Sequence, residues 1–218
     1  SIEKFFWDEE KGAYIDSFTS GKRNVTRHAN IFAILFDIAD KQKQEKILKN
    51  VLENDEIPAI TTPYFNFFEL DVLCQMGKLT EVLDKIRSYW GGMLDLGAVT
   101  FWEEYDPSVP KEEQYDMYGD HFGKSLCHAW AASPIYFLAK YFAGLDLVNK
   151  DGVTYVLKPQ MQYFTDLDCI LPVGSDGTVR LAWDGECLEV IADAEGGVLE
   201  LGEEKISLVR GETRRVKI

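Results

Sequence analysis

What most constrains this chain is a change of hydrophobic period at Gly144. Before it, apolar residues recur at intervals of three and four, the spacing of helices with one buried face; after it come short β-rich runs broken by turn residues. No single sheet or bundle satisfies both halves. The 218 residues leave room for one medium domain with a small appendage, so we expect a helical domain over 1–145 and a sheet domain over 146–218.

In the helical part, Val25, Ala29, Phe32, Ala33, Phe36 and Ile38 predict a helix over Asn24–Ala39. A more polar helix follows over Lys41–Leu52, with Ile47, Leu48, Val51 and Leu52 on one side. Pro63 suits the first turn of a third helix, capped by Thr61 or Thr62 and stopped at Gly77. Thr80 is the expected cap of a fourth, Glu81–Met93, and a fifth is expected over Ser125–Phe142, kinked near Pro134. Richly apolar helices thus alternate with wetter ones across short links. Concentric layers of an (α/α) toroid produce that alternation, and so does a helical solenoid.

After Gly144, strands are expected at Val153–Leu157, Thr178–Trp183, Cys187–Ala192, Gly197–Leu201, Lys205–Val209 and Thr213–Ile218. Turn signals separate them, among them Ser175-Asp176-Gly177, Asp184-Gly185 and Arg210-Gly211. They predict a small antiparallel β-sandwich with no cluster of catalytic residue types.

A net charge of -14 argues against a nucleic-acid partner, whose phosphates such a surface repels. No run of eighteen apolar residues is present to span a membrane, and Ser1-Ile2-Glu3-Lys4 shows no basic-then-apolar leader, so the compartment, cytoplasmic or periplasmic, stays open. Cys74, Cys127, Cys169 and Cys187 have no CxxC spacing and read as reduced thiols rather than a zinc site; no metal or other cofactor is expected. An uncharged substrate fits this acidic, aromatic-rich chain.

Chemistry concentrates in the long connection from Gly97 to Asp120 and just beyond it. Glu103 and Glu104 stand between Trp102 and Tyr105, where a carboxylate among rings suits a general base whose pKa desolvation raises. Spacing does not decide which of the two it is. His128, beside Trp130, falls three residues into the expected fifth helix. His28 and Asn30 enter an apolar helix near its start, and Tyr64 and Phe65 begin another. Polar and aromatic residues at the N-terminal ends of three apolar helices point to one shared pocket. The acidic stretch Asp106–Asp120, with Tyr115, Met117 and Tyr118, is expected to be a lid; the oxygen spacing and central glycine of a calcium loop are missing.

These residues carry a family resemblance. Phe6-Trp7-Asp8-Glu9-Glu10-Lys11-Gly12-Ala13-Tyr14-Ile15-Asp16, Arg27-His28-Ala29-Asn30, Thr61-Thr62-Pro63-Tyr64-Phe65-Asn66-Phe67-Phe68, Gly97-Ala98-Val99-Thr100-Phe101-Trp102-Glu103 and Ser125-Leu126-Cys127-His128-Ala129-Trp130 occur in an order and spacing that resemble the bacterial α-L-rhamnosidases of glycoside hydrolase family 78. The resemblance implies an (α/α)6 barrel followed by a small β-sandwich, and inverting hydrolysis of terminal α-L-rhamnose from glycosides. It maps the general base onto Glu103 and a sugar-lining role onto His128, with Trp102, Trp130, Tyr64, Phe65, His28 and Asn30 as further substrate contacts. Val99 departs from the threonine frequent at that place.

The front of the pattern differs from the family more. An (α/α)6 barrel takes twelve helices of about 11–12 residues, well beyond what precedes the sheet segment here. The family's general acid belongs to earlier helices. We therefore expect a partial barrel that carries the base without the acid, with an exposed truncated face through which copies self-associate.

Overall fold

The computed structural model describes residues 1–150, 153–175 and 177–218. The chain divides into two compact units, Ser1–Ser133 and Pro134–Ile218. That division lies one helix earlier than the expected boundary after residue 145. The last helix joins the sheets because its end feeds directly into their core.

The first unit opens with helix α1 (Ile2–Phe6) and a two-stranded ribbon, β1 (Trp7–Asp8) against β2 (Ala13–Tyr14). Helix α2 (Arg27–Leu35) buries Ile31, Ala33 and Ile34. Helix α3 (Lys41–Ile47) runs on through a π turn, Leu48–Leu52, and buries Ile47, Leu48 and Val51. Asp40 caps it, its side chain accepting from the Lys43 amide. Helix α4 (Pro63–Gln75) has Pro63 in its first turn and packs against both α2 and α5 (Leu79–Lys85). From α5 the chain continues through a π turn, Ile86–Trp90, into α6 (Gly91–Asp95).

Differences from the expected helices have local causes. The α4 N-cap is Thr62, which makes no side-chain cap bond, while the Thr61 hydroxyl is engaged elsewhere. Thr80 lies inside α5, because Lys78 takes the cap position. The fifth helix does not begin at Ser125: α7 spans only Ser133–Phe137 and is extended by a π turn over Leu138–Phe142. Pro134, expected to kink that helix, instead sits in its first turn, where its missing N–H costs nothing.

In the second unit, two four-stranded sheets enclose one core. Their orders are β10–β7–β6–β5 and β3–β4–β8–β9, built from β3 (Leu145–Lys150), β4 (Val153–Leu157), β5 (Leu167–Val173), β6 (Gly177–Trp183), β7 (Cys187–Asp193), β8 (Gly197–Leu201), β9 (Glu204–Leu208) and β10 (Thr213–Lys217). Tyr155, Leu157, Leu171, Val179, Leu181, Leu188, Val190 and Leu199 fill the space between, so the unit is a sandwich. Its sheets are not wholly antiparallel, since β4 and β8 pair in parallel. The periodicity missed β3 and β5. Pro172 is tolerated within β5 because β5 is an edge strand. Of the expected turn Ser175-Asp176-Gly177, Asp176 lies outside the described residues. At the start of the unit, Gly144 adopts φ +72, and a Cβ there would meet the Lys158 carbonyl oxygen at 2.2 Å. Cys127, Cys169 and Cys187 are free thiols. Among the described residues, no helix is long and apolar enough to cross a membrane.

Candidate active site

Two distant stretches of the first unit lie side by side through backbone hydrogen bonds. The Glu103 amide donates to the Ser125 carbonyl at 2.9 Å and the His128 amide to the Phe101 carbonyl at 2.8 Å; the Thr100 hydroxyl donates to the Leu126 carbonyl. These bonds take up backbone groups of 125–128, which are therefore not helical. His128 has φ -118 and ψ 107 and precedes a single 3-10 turn, Ala129–Ala131. The pairing juxtaposes Glu103 and His128.

Adjacent in sequence, Glu103 and Glu104 have different surroundings. Glu104 accepts from the Thr61 hydroxyl at 2.8 Å and lies 3.9 Å from the buried ammonium of Lys124. With the Tyr105 amide donating to the Thr61 carbonyl at 3.0 Å, it ties the loop to the start of α4. The Tyr105 ring in turn lies over Gly92, where a Cβ would meet its hydroxyl oxygen at 2.4 Å. Glu103 is half-buried. Its Oε1 accepts from the Tyr118 hydroxyl at 2.7 Å and its Oε2 from the Ser125 amide at 3.0 Å.

These donors hold the Glu103 carboxyl below its usual range, the Tyr118 hydroxyl most and the Ser125 amide next. Partial burial opposes them, and the charges of His128 and Lys124 assist. The expectation that ring desolvation raises this pKa is therefore reversed. Hydrogen bonds to the charged form outweigh burial because the site is only half enclosed.

The aromatic candidates divide. Tyr64 is 47% and Trp130 64% exposed, with ring centroids 4.8 Å apart. His128 meets Trp130 edge-on at 5.9 Å. On the other side of Tyr64 the rings continue through Phe68 to Phe65, which touches the exposed His28 at 4.1 Å. His28, Phe65, Tyr64, Trp130 and His128 thus form one aromatic surface in the same unit as Glu103. Two candidates do not reach it. Trp102 is only 3% exposed and packs edge-on against Tyr115, its indole spent on anchoring the loop. Asn30 is fully buried, accepting from the Tyr14 amide and donating to the carbonyls of Tyr14 and Thr26. It clamps β2 to α2 and has no polar atom to spare for a sugar.

Two residues of this site were not read from the sequence as partners of the glutamates. Lys124 carried no signal; beside Tyr118, Gly119 is a turn signal in the acidic stretch. Among the described residues, no group of three or more His, Cys, Asp or Glu is placed to hold a metal ion.

No protein-family model matches the chain, and no curated protein matches it. Solved structures do, at the level of fold. An α-L-rhamnosidase from Dictyoglumus thermophilum superposes with a TM-score of 0.62 at 18% identity, over 99% of this chain and 26% of that one. The likeness is one of fold, and the chain spans about a quarter of the length of that structure. A protein described as a kojibiose phosphorylase from human microbiome aligns over 98% of this chain and 29% of its own at 9% identity, with a TM-score of 0.44 that defines no shared fold.

Proposed function

We propose that this chain is the base-bearing part of an inverting α-L-rhamnosidase, an arc of an (α/α)6 barrel followed by its β-sandwich. The observation that carries the proposal is Glu103, a half-buried carboxylate kept ionised by two donors, with His128 beside it and an aromatic surface in the same unit. A base must be charged to take a proton from water, and both oxygens of Glu103 retain a free lone pair for that water. The exposed faces of Tyr64 and Trp130 suit the apolar face of a pyranose, with His128, Phe65 and His28 at its margins. In this scheme Glu103 removes the proton as water attacks the anomeric carbon. A general acid about 6.5–9.5 Å away protonates the leaving oxygen from the opposite face. We assign that acid to a part of the enzyme outside these residues. Trp102 and Asn30 are positioning residues only.

The substrate is then a rhamnose-containing glycoside or oligosaccharide. Hydrolysis of an aryl α-L-rhamnoside by the complete enzyme tests the assignment. Glu103→Gln should lower kcat by about 10²–10⁴-fold, and NMR of the first product should show inverted anomeric configuration. The isolated chain should cleave at background rate; turnover by it that Glu103→Gln abolishes would refute the division of acid and base. An isomerised sugar as product would identify a sugar epimerase on the same scaffold. Glycan binding unaffected by Glu103→Gln, with no turnover in the complete protein, would identify a non-catalytic carbohydrate-binding module.

A further inference from the structure

The turn that carries Tyr118 is built in an unusual way. Met117 and Asp120 exchange both backbone hydrogen bonds, at 3.0 and 2.9 Å, closing a two-residue hairpin whose tip is Tyr118-Gly119. Tyr118 has φ +56 and Gly119 φ +80. Positive φ at both tip positions is the pattern of a type I′ turn, favourable for Asn-Gly or Gly-Gly and costly for a bulky aromatic. The strain sits where the Tyr118 phenol meets Glu103.

The hairpin is anchored at its base. The Lys124 amide donates to the Tyr115 carbonyl at 3.2 Å, and the Tyr115 ring packs on buried Trp102, one residue before Glu103. Phe122 stacks on Tyr115, and the Asp116 carboxylate meets the His121 ring. Gly123 admits the chain past Met117, whose carbonyl oxygen a Cβ there would meet at 2.2 Å. The direction of the Tyr118 side chain is thus set from the same residue pair, Trp102-Glu103, that carries the carboxylate.

We propose that Tyr118 is a positioning residue for Glu103: the strained turn delivers its hydroxyl to Oε1 while the Ser125 amide holds Oε2, so the carboxylate plane is fixed and one lone pair on each oxygen is left for water. The role rests on the reading of Glu103 as a base. The other charged groups facing this carboxylate are His128 and Lys124, with Glu104 acting on the phenol. Of all these contacts the phenol is the one that side-chain substitution removes without disturbing a helix or a buried group, since Tyr118 is 79% exposed.

The test is the titration of the Glu103 carboxyl by carbon NMR in the 218-residue chain, for the wild type and three variants. Tyr118→Phe removes the donor and keeps the ring. Gly119→Val opposes the positive φ, while Gly119→Asn tolerates it. Among the described residues, no atom lies within 4 Å of a Cβ at Gly119, so both substitutions act chiefly through the backbone. A donor to the charged form lowers a carboxyl's pKa, so its loss moves the midpoint of Glu103 to higher pH. That rise is expected in Tyr118→Phe and Gly119→Val, with Gly119→Asn unchanged. In the complete enzyme the acid limb of kcat/KM should move up in the same two variants, with KM little altered. A Glu103 midpoint that does not move in Tyr118→Phe overturns the proposal, whatever the enzyme hydrolyses. Midpoints that shift as described in a protein that cleaves no rhamnoside uphold the positioning role, and it is then the assigned activity that fails.

Discussion

At the residue scale, the chemistry rests on which partners each polar side chain finds. Glu103 and Glu104 are neighbours with the same residue type, and only their partners separate a carboxylate open to water from one that ties a loop to α4. Asn30 makes the same point in reverse. As a residue type entering an apolar helix it was expected to line a pocket, yet its amide is consumed by Tyr14 and Thr26. Asn30→Ala strands the Tyr14 amide and carbonyl in the interior. Each unmet buried group costs about 1–3 kcal/mol, so urea unfolding should show a loss of about 2–6 kcal/mol. A loss below about 0.5 kcal/mol would mean that water replaces the side chain.

At the scale of elements, the helices of the first unit are joined by a buried ionic cluster as well as by apolar packing. Arg27 of α2 donates to Glu69 of α4 at 3.0 Å and to the Leu52 carbonyl at the end of the π turn after α3, at 2.8 Å. Lys85, the last residue of α5, donates to the same Glu69 oxygen at 2.5 Å. Three helices thus meet at one carboxylate, and Arg27 ties in the π turn after α3 as well. Burial pushes the Lys85 ammonium's pKa down, and Glu69 only partly offsets that. Glu69→Gln leaves two cations in low dielectric without a counter-charge. Removing one partner of such a buried group costs about 3–5 kcal/mol, which chemical denaturation followed by far-UV circular dichroism should reveal. Periodicity located α2, α3, α4 and α5, because a helix is decided within a few residues of itself. It did not show that Arg27, Glu69 and Lys85 converge, since no window of sequence contains all three.

Across the whole molecule, two units with separate cores meet different demands. The sandwich closes its core between two sheets, whereas the helical unit leaves Phe36, Tyr64 and Trp130 exposed at 69%, 47% and 64%. On the partial-barrel proposal the Phe36 ring belongs to a face that further helices cover in the complete enzyme, while Tyr64 and Trp130 stay open to the sugar. The isolated chain should then self-associate. Sedimentation velocity over a range of concentrations is expected to show a rising average mass, and Phe36→Asp should reduce it; a mass that stays monomeric at every concentration would count against the truncated face.

The sequence alone settled what depends on near neighbours. The change of period at Gly144, the start of α4 at Pro63 and most strands of the sandwich were legible because spacing, propensity and turn chemistry act over a few residues. Tertiary structure decided the rest. It kept 125–128 out of a helix by pairing it with 100–103, admitted a parallel pairing between β4 and β8, buried Trp102 and Asn30, and brought Tyr118 onto Glu103. The physical reason is common to all four: each depends on where a backbone or polar group finds its hydrogen-bond partner, or a ring its neighbours, and those partners lie far away along the chain.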